Sequence, residues 1–166
     1  MAFEPDPRAY ACLDQNTASL ANVSTFPLAL WKERVDLRLH GSPDTRESSL
    51  IEDGRANTLS ADVEAWPLDQ LSFMVQLPVI DLMKIDGEGV EPEILAGAAN
   101  TLRRTRVLAV DVGAVSRRPN LRTRVESQLD AARFRALPDH RAKTILALNT
   151  AMVGPFSSRA MGRRGS

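Results

Sequence analysis

The stretch from residue 79 to residue 110 constrains the fold more than any other. Val79-Ile80-Asp81-Leu82-Met83-Lys84-Ile85 is a mostly apolar run that stops at Asp86-Gly87-Glu88-Gly89. Glu91 to Arg104 then has helical spacing, with acids in the first turn and Ile94, Leu95, Ala98 and Leu102 on one face. Its closing arginines complement the helix dipole. Val107-Leu108-Ala109-Val110 follows as a continuous apolar run, the pattern of a strand covered on both faces of a parallel sheet. Strand, helix, strand in that order is a unit of α/β architecture.

The rest of the chain extends that unit in both directions. Ala2-Phe3 reads as the end of a strand that enters a helix, with Asp6 as its cap and Pro7 in its first turn. That helix runs to about Asn16. Asn22 to Leu30 reads as a second strand. Val35, Leu37 and Leu39 alternate with Asp36, Arg38 and His40, the period-2 pattern of a half-exposed strand. Gly41 to Asn57 is polar and turn-rich, Thr58 to Trp66 a short strand, and Pro67 to Gln76 a helix. Leu121 to Ala132 reads as helix, and Phe134–Leu137 with Thr144–Leu148 as a closing strand pair. The alternation predicts one doubly wound α/β domain over residues 1–154, with a disordered tail at 155–166.

Charge and cysteine usage exclude several function classes. The 21 Lys and Arg balance the 21 Asp and Glu, so no net positive field draws in nucleic acid or an anionic membrane. One cysteine, Cys12, leaves no internal disulfide and no cysteine-rich zinc cluster, and it reads as a small core residue. With His40 and His140 a hundred residues apart, little is left for a histidine metal site, and no residue is assigned as a metal ligand, although Asp86 and Glu88 are acids that could bind one. No apolar run approaches a membrane span and the start is no signal peptide, so the expected location is cytoplasmic.

In a doubly wound sheet, ligands bind at the carboxyl ends of the strands. That rule selects Glu4, Ala29 and Leu30, Asp86 to Gly89, and Asp111 to Gly113. Glu4 reads either as an acceptor for ribose hydroxyls or as a solvated loop acid. In an extended segment Lys84, Asp86 and Glu88 point to one side. They read either as a general-base site for a polar substrate or as an ion-pair cluster capping the next helix. Asp111-Val112-Gly113 reads as the end of a late strand. Ser48 and Ser49 read as turn residues without a nucleophile's setting, and His40 as an exposed strand-end residue. No G-x-G-x-x-G or phosphate-loop motif occurs.

Several of these segments together resemble the FkbM-type family of S-adenosylmethionine-dependent methyltransferases. The matching runs are Ala2-Phe3-Glu4-Pro5-Asp6-Pro7, Asn22-Val23 with Leu28-Ala29-Leu30, Ser48-Ser49-Leu50, and Leu68-Asp69-Gln70-Leu71. Ile80-Asp81-Leu82-Met83-Lys84-Ile85-Asp86-Gly87-Glu88-Gly89-Val90-Glu91-Pro92-Glu93-Ile94-Leu95-Ala96-Gly97-Ala98 is the most characteristic. The resemblance implies a Rossmann-like class I methyltransferase sheet and methylation of a hydroxyl on a small molecule or sugar, with S-adenosylmethionine as donor. It implies that Glu4 binds the cofactor ribose, that the segment of Ala29 and Leu30 borders the adenine, and that Asp86, Glu88 and Lys84 line the reacting pocket. Asp86 is the first candidate for general base, with burial or a neighbouring acid raising its pKa. The family's opening strand and glycine turn have no counterpart here, which predicts an N-terminally truncated sheet with its central first strand missing. Two expectations follow: an O-methyltransferase, or a catalytically inactive remnant acting at most as a binding module. A homo-oligomer in which a second copy completes the sheet is a third.

Overall fold

A computed structural model describes residues 1–41, 48–50, 59–113, 118–138 and 143–153. His140, most of the 41–57 loop and the tail after Pro155 lie outside the described residues, as do the side chains of Ser48 and Ser49.

The chain begins with β1 (Ala2–Phe3) and α1 (Pro7–Thr17), where Asp6 accepts the Arg8 N–H as the expected cap. Helix α1 buries none of its residues, and Cys12 is exposed rather than in the core. Asn22–Leu30 is not one strand but two: β2 (Thr25–Phe26) and β3 (Ala29–Leu30). Pro27, which has no N–H to offer a ladder, sits in the step between them, where the Leu28 N–H donates to the Phe26 carbonyl. The step sends β2 to pair with β1 while β3 joins another sheet.

That other sheet has the order β3-β6-β4-β5, with β4 at Val35–Gly41, β5 at Ser48–Ser49 and β6 at Leu59–Trp66. Its β4–β6 pairing is antiparallel over seven residue pairs and encloses a small core of Ala29, Leu39, Val63 and Ala65. The predicted helix at 67–76 is a 3-10 turn (Leu68–Gln70) followed by the short α2 (Ser72–Val75).

The expected strand–helix–strand unit is present. β7 (Ile80–Ile85) and β8 (Thr105–Asp111) are parallel neighbours. The predicted single helix between them is two, α3 (Glu91–Ala96) and α4 (Ala99–Leu102). After α5 (Leu121–Ala131) come β9 (Phe134–Ala136) and β10 (Thr144–Asn149), which complete the order β7-β8-β10-β9. β10 runs antiparallel to β8, so this sheet is mixed.

The two faces of this sheet differ. Met83, Leu108 and Ala147 form one cross-strand row, and Ile85, Val110 and Ile145 the next. These rows meet Leu95, Leu102, Leu121, Val125 and Leu129 of the three helices in the main core. On the opposite face the rows are Leu82–Val107–Leu148 and Lys84–Ala109–Leu146. Leu82 is 61% exposed and Leu146 41%, so the Val107–Val110 strand is covered on one face rather than both. Among the described residues, β7 is an edge of its sheet and β1 pairs only with β2. Among those residues, the single doubly wound sheet expected from the sequence is therefore divided into three sheets. Stacked rings tie β1 and β2 to α2: Phe3 on Phe26 at 5.1 Å and Phe26 on Phe73 at 4.5 Å.

Candidate active site

The chain leaves β7 through Asp86-Gly87-Glu88-Gly89, and two of those residues take left-handed backbone angles, Glu88 at φ 52 and Gly89 at φ 105. Glycine adopts that region freely, whereas Glu88 carries a steric cost of roughly 1 kcal/mol. The compensation comes from Glu91. Its Oε1 accepts the N–H groups of Gly87 at 2.9 Å and Gly89 at 3.1 Å. Glu91 is 1% exposed, and its Oε2 is buried without a hydrogen-bond partner among the described residues. Burial pushes the Glu91 carboxyl above the ordinary range, against the pull of the backbone donors. In the sequence Glu91 stands out only as one of the acids of a helix first turn, and nothing in its spacing signals this brace.

Gly87 has its own reason to lack a side chain. A Cβ there would meet Ile94 Cδ1 at 2.8 Å and Val90 Cγ2 at 3.0 Å. The loop is thus folded tightly against the start of α3, and it presents its carboxylates outward.

Lys84 and Asp86 come together, as the alternation of an extended segment requires, and Glu88, in the left-handed turn that follows, is near enough for its charge to act on Lys84. Lys84 Nζ donates to Asp86 Oδ2 at 2.7 Å. This hydrogen bond, with the charges of Asp86, Asp111 and Glu88, raises the Lys84 pKa despite slight desolvation. Asp111, on the same sheet face as Lys84 two residues beyond its partner Ala109, thereby joins the cluster. Its Oδ1 accepts the Gly113 N–H at 2.6 Å, which fixes the carboxylate at the strand end. The Asp86 side chain is 43% exposed and paired with a lysine, so the burial expected around the general base falls on Glu91 instead.

Glu4 stands at the end of β1, half-buried, and its Oε1 accepts the Asp6 N–H at 2.8 Å. Desolvation raises its pKa, the Asp6 N–H lowers it, and the Asp6 carboxylate adds a further rise. No hydrogen bond or ion pair among the described residues joins Glu4 to the Lys84 cluster. Ala29 is buried in the smaller core, which leaves only its backbone for a ligand, while Leu30 is half-buried and packs toward the main core. His40, half-buried in β4 opposite Ser60, takes no part. Among the described residues, no group of three His, Cys, Asp or Glu side chains is placed to hold a metal ion. No helix there is long and apolar enough to cross a membrane.

Comparison with known proteins places the chain in a family. Residues 1–142 match the family model described as the Methyltransferase FkbM domain. The 2-O-methyltransferase NoeI of Sinorhizobium fredii (strain NBRC 101917 / NGR234) is 31% identical over 121 residues, covering 64% of this chain and 50% of that protein. This chain thus spans about half the length of the curated relative it matches. The crystal structure of methyltransferase FkbM from Methylobacillus flagellatus KT is similar at a TM-score of 0.56 and 14% identity, over 88% of this chain and 35% of that one. At that identity the likeness shows a methyltransferase-like α/β fold.

Proposed function

The chain belongs to the FkbM methyltransferase family, and from that premise we propose that it is an S-adenosylmethionine-dependent O-methyltransferase acting on a hydroxyl of a small molecule or sugar. In this reading the sheet β7-β8-β10-β9 is part of a Rossmann-like class I methyltransferase sheet, and the reaction is cytoplasmic. The observation that carries it is the cluster of Lys84, Asp86, Glu88 and Asp111 at the carboxyl ends of two parallel strands. The Sinorhizobium relative, a 2-O-methyltransferase by name, supports transfer to oxygen.

The residues present suit the cofactor. Three carboxylates against one lysine favour a cationic sulfonium nearby. Glu4 uses only Oε1 for the Asp6 N–H, so Oε2 is available to accept from ribose hydroxyls. The backbone of Ala29 and the side chain of Leu30 would border the adenine. When bound, S-adenosylmethionine supplies an electrophilic methyl group on a sulfonium sulfur.

The chain's own residues do the rest. Asp86 accepts the proton of the acceptor hydroxyl as its oxygen attacks. Lys84 holds the Asp86 carboxylate in a fixed orientation through its 2.7 Å hydrogen bond. Glu88 orients the acceptor, and Glu91 keeps the loop in the shape that places both acids.

Titration calorimetry of the 166-residue chain with S-adenosylmethionine tests this. The expected result is micromolar binding, weakened about tenfold or more in Glu4→Ala, equivalent to at least ~1.4 kcal/mol. Methyl transfer to a hydroxyl acceptor, lost in Asp86→Asn with binding retained, would complete it. A folded chain that gives no heat would favour the inactive-remnant reading. The separation of Glu4 from the Lys84 cluster, on different sheets, is the observation on that side.

A further inference from the structure

The link between Asp86 and Gly87 is of a chemically labile kind. In an aspartyl-glycine pair the glycine amide nitrogen can attack the aspartyl Cγ, because glycine has no side chain to hinder the approach. Asp86-Gly87 is such a pair, and Asp53-Gly54, outside the described residues, is the same dipeptide. Attack by Gly87 N on the protonated Asp86 carboxyl closes a five-membered succinimide. One water leaves, made of the acid hydroxyl and the amide proton. Water then opens the ring at either carbonyl. One opening restores aspartate. The other leaves isoaspartate, with the main chain routed through Cβ and Cγ and the free carboxylate on Cα. The mass is unchanged, and water is the reaction's only partner.

The structure shows where each participant stands. The Asp86 side chain is 43% exposed, so nothing buries the carbon under attack. Its carboxylate is held by Lys84 Nζ at 2.7 Å, and a carboxylate kept in an ion pair has no hydroxyl to lose. The attacking nitrogen is held from the other side. The Gly87 N–H donates to Oε1 of the buried Glu91 at 2.9 Å, and the Gly89 N–H reaches the same oxygen at 3.1 Å. Ring closure requires the 86–87 amide to turn its face toward Cγ, which breaks the first of these bonds.

Packing opposes the same turn. A single added carbon on Gly87 would meet Ile94 Cδ1 at 2.8 Å and Val90 Cγ2 at 3.0 Å, so the glycine has little room in which to swing.

We infer that Asp86-Gly87 is a latent site of isoaspartate formation, kept closed by two locks, Lys84 on the carboxylate and Glu91 on the amide. Modification then proceeds only from the opened loop, at a rate set by the population of that state. Once formed, isoaspartate lengthens the loop's main chain by one atom and takes the carboxylate off the side chain that Lys84 grips. The inference requires no methyl transfer, so it stands or falls apart from the catalytic reading of the cluster.

Incubation of the full chain at neutral pH and body temperature tests it. Peptide mapping with electron-transfer fragmentation distinguishes the two isomers. In urea both aspartyl-glycine pairs should isomerise at similar rates, which sets the reference. At Asp86 the folded chain should react at least tenfold more slowly than in urea. Lys84→Met, at an exposed position, should fold as the parent does and isomerise severalfold faster. Glu91→Ala should do the same under conditions where its spectrum is that of the folded chain. Glu91→Gln keeps an acceptor for both N–H groups and should match the parent. Leu108→Ala lowers stability without touching the loop and should leave the Asp86 rate at the parent's value. Equal rates in the folded chain and in urea, or an unchanged rate in Lys84→Met or in folded Glu91→Ala, would each overturn the inference. So would a slower Glu91→Gln, which would make Glu91 a base for the reaction, or a rise in Leu108→Ala as large as in Glu91→Ala.

Discussion

Glu91 is the residue on which the geometry of the acidic loop depends. It holds two glycine N–H groups with one oxygen and leaves the other buried and bare. Its carboxyl pKa is raised, chiefly by burial, and that of Glu4 is raised for the same main reason. Such a group binds its proton more tightly in the folded chain than in the unfolded one. Its stabilising contribution is present below the unfolded pKa and is lost as pH rises through the raised folded value. Urea denaturation from acid to neutral pH should therefore show stability falling above the ordinary glutamate range. Glu91→Gln keeps an acceptor for Gly87 and Gly89 but cannot ionise, so the fall should be shallower; an unchanged slope would remove Glu91 from the account. Glu91→Ala leaves two N–H groups unpaired and should cost about 1–3 kcal/mol at every pH. Spacing alone could not reveal this role. It depends on positive φ at Glu88 and Gly89, which turns the Gly87 and Gly89 amides back toward the helix start.

The element between β7 and β8 is two short helices because of one glycine and one distant acid. A Cβ on Gly97 would overlap the Trp31 carbonyl oxygen, so the chain approaches the Trp31 backbone as only glycine allows. Just beyond, Asp69 accepts the N–H groups of Asn100 at 2.7 Å and Thr101 at 2.8 Å, capping α4 from outside its own segment. Gly97→Ala should therefore destabilise the chain by at least about 3 kcal/mol, beyond the usual cost of overpacking. Asp69→Ala should cost about 1–2 kcal/mol as a lost cap. Thermal unfolding of the two variants gives the order, and a mild Gly97→Ala would contradict the close approach. Local pattern made β7, β8, α5 and the separate strands β4 and β6 legible, since their apolar residues recur at strand or helix period, but not the pairing of β4 with β6. The helix break was not legible, because Trp31 and Asp69 are remote in sequence. Nor was the destination of Arg104. Read as complementing its own helix dipole, it instead donates to the carbonyls of Met74, Val75 and Leu77 at the end of α2.

At the scale of the whole molecule, the main sheet is half covered, and its stability and association should be separable. Leu108 faces the helices at 0% exposure, so Leu108→Ala should cost about 2–5 kcal/mol through lost burial and a cavity. Leu82 and Leu146, on the bare face, should accept lysine within about 0.5 kcal/mol of the parent's stability. That face, with the Lys84–Asp86 pair at its rim and the unpaired edge of β7 beside it, is the apolar surface a second copy would cover. A self-associating chain should therefore show a lower sedimentation mass in the Leu82→Lys, Leu146→Lys variant at the same concentration, with the unfolding midpoint of the dilute protein unmoved. A parent chain that sediments as a monomer at high concentration would exclude the homo-oligomer expected from the sequence. A variant whose mass stays that of the parent oligomer would place the contact elsewhere. Since Lys84, Asp86 and Asp111 share this bare face, a second copy seated on it would also border the acidic cluster. Loss of self-association and loss of S-adenosylmethionine binding would then occur together in that variant, although neither substitution touches Glu4 or Asp86.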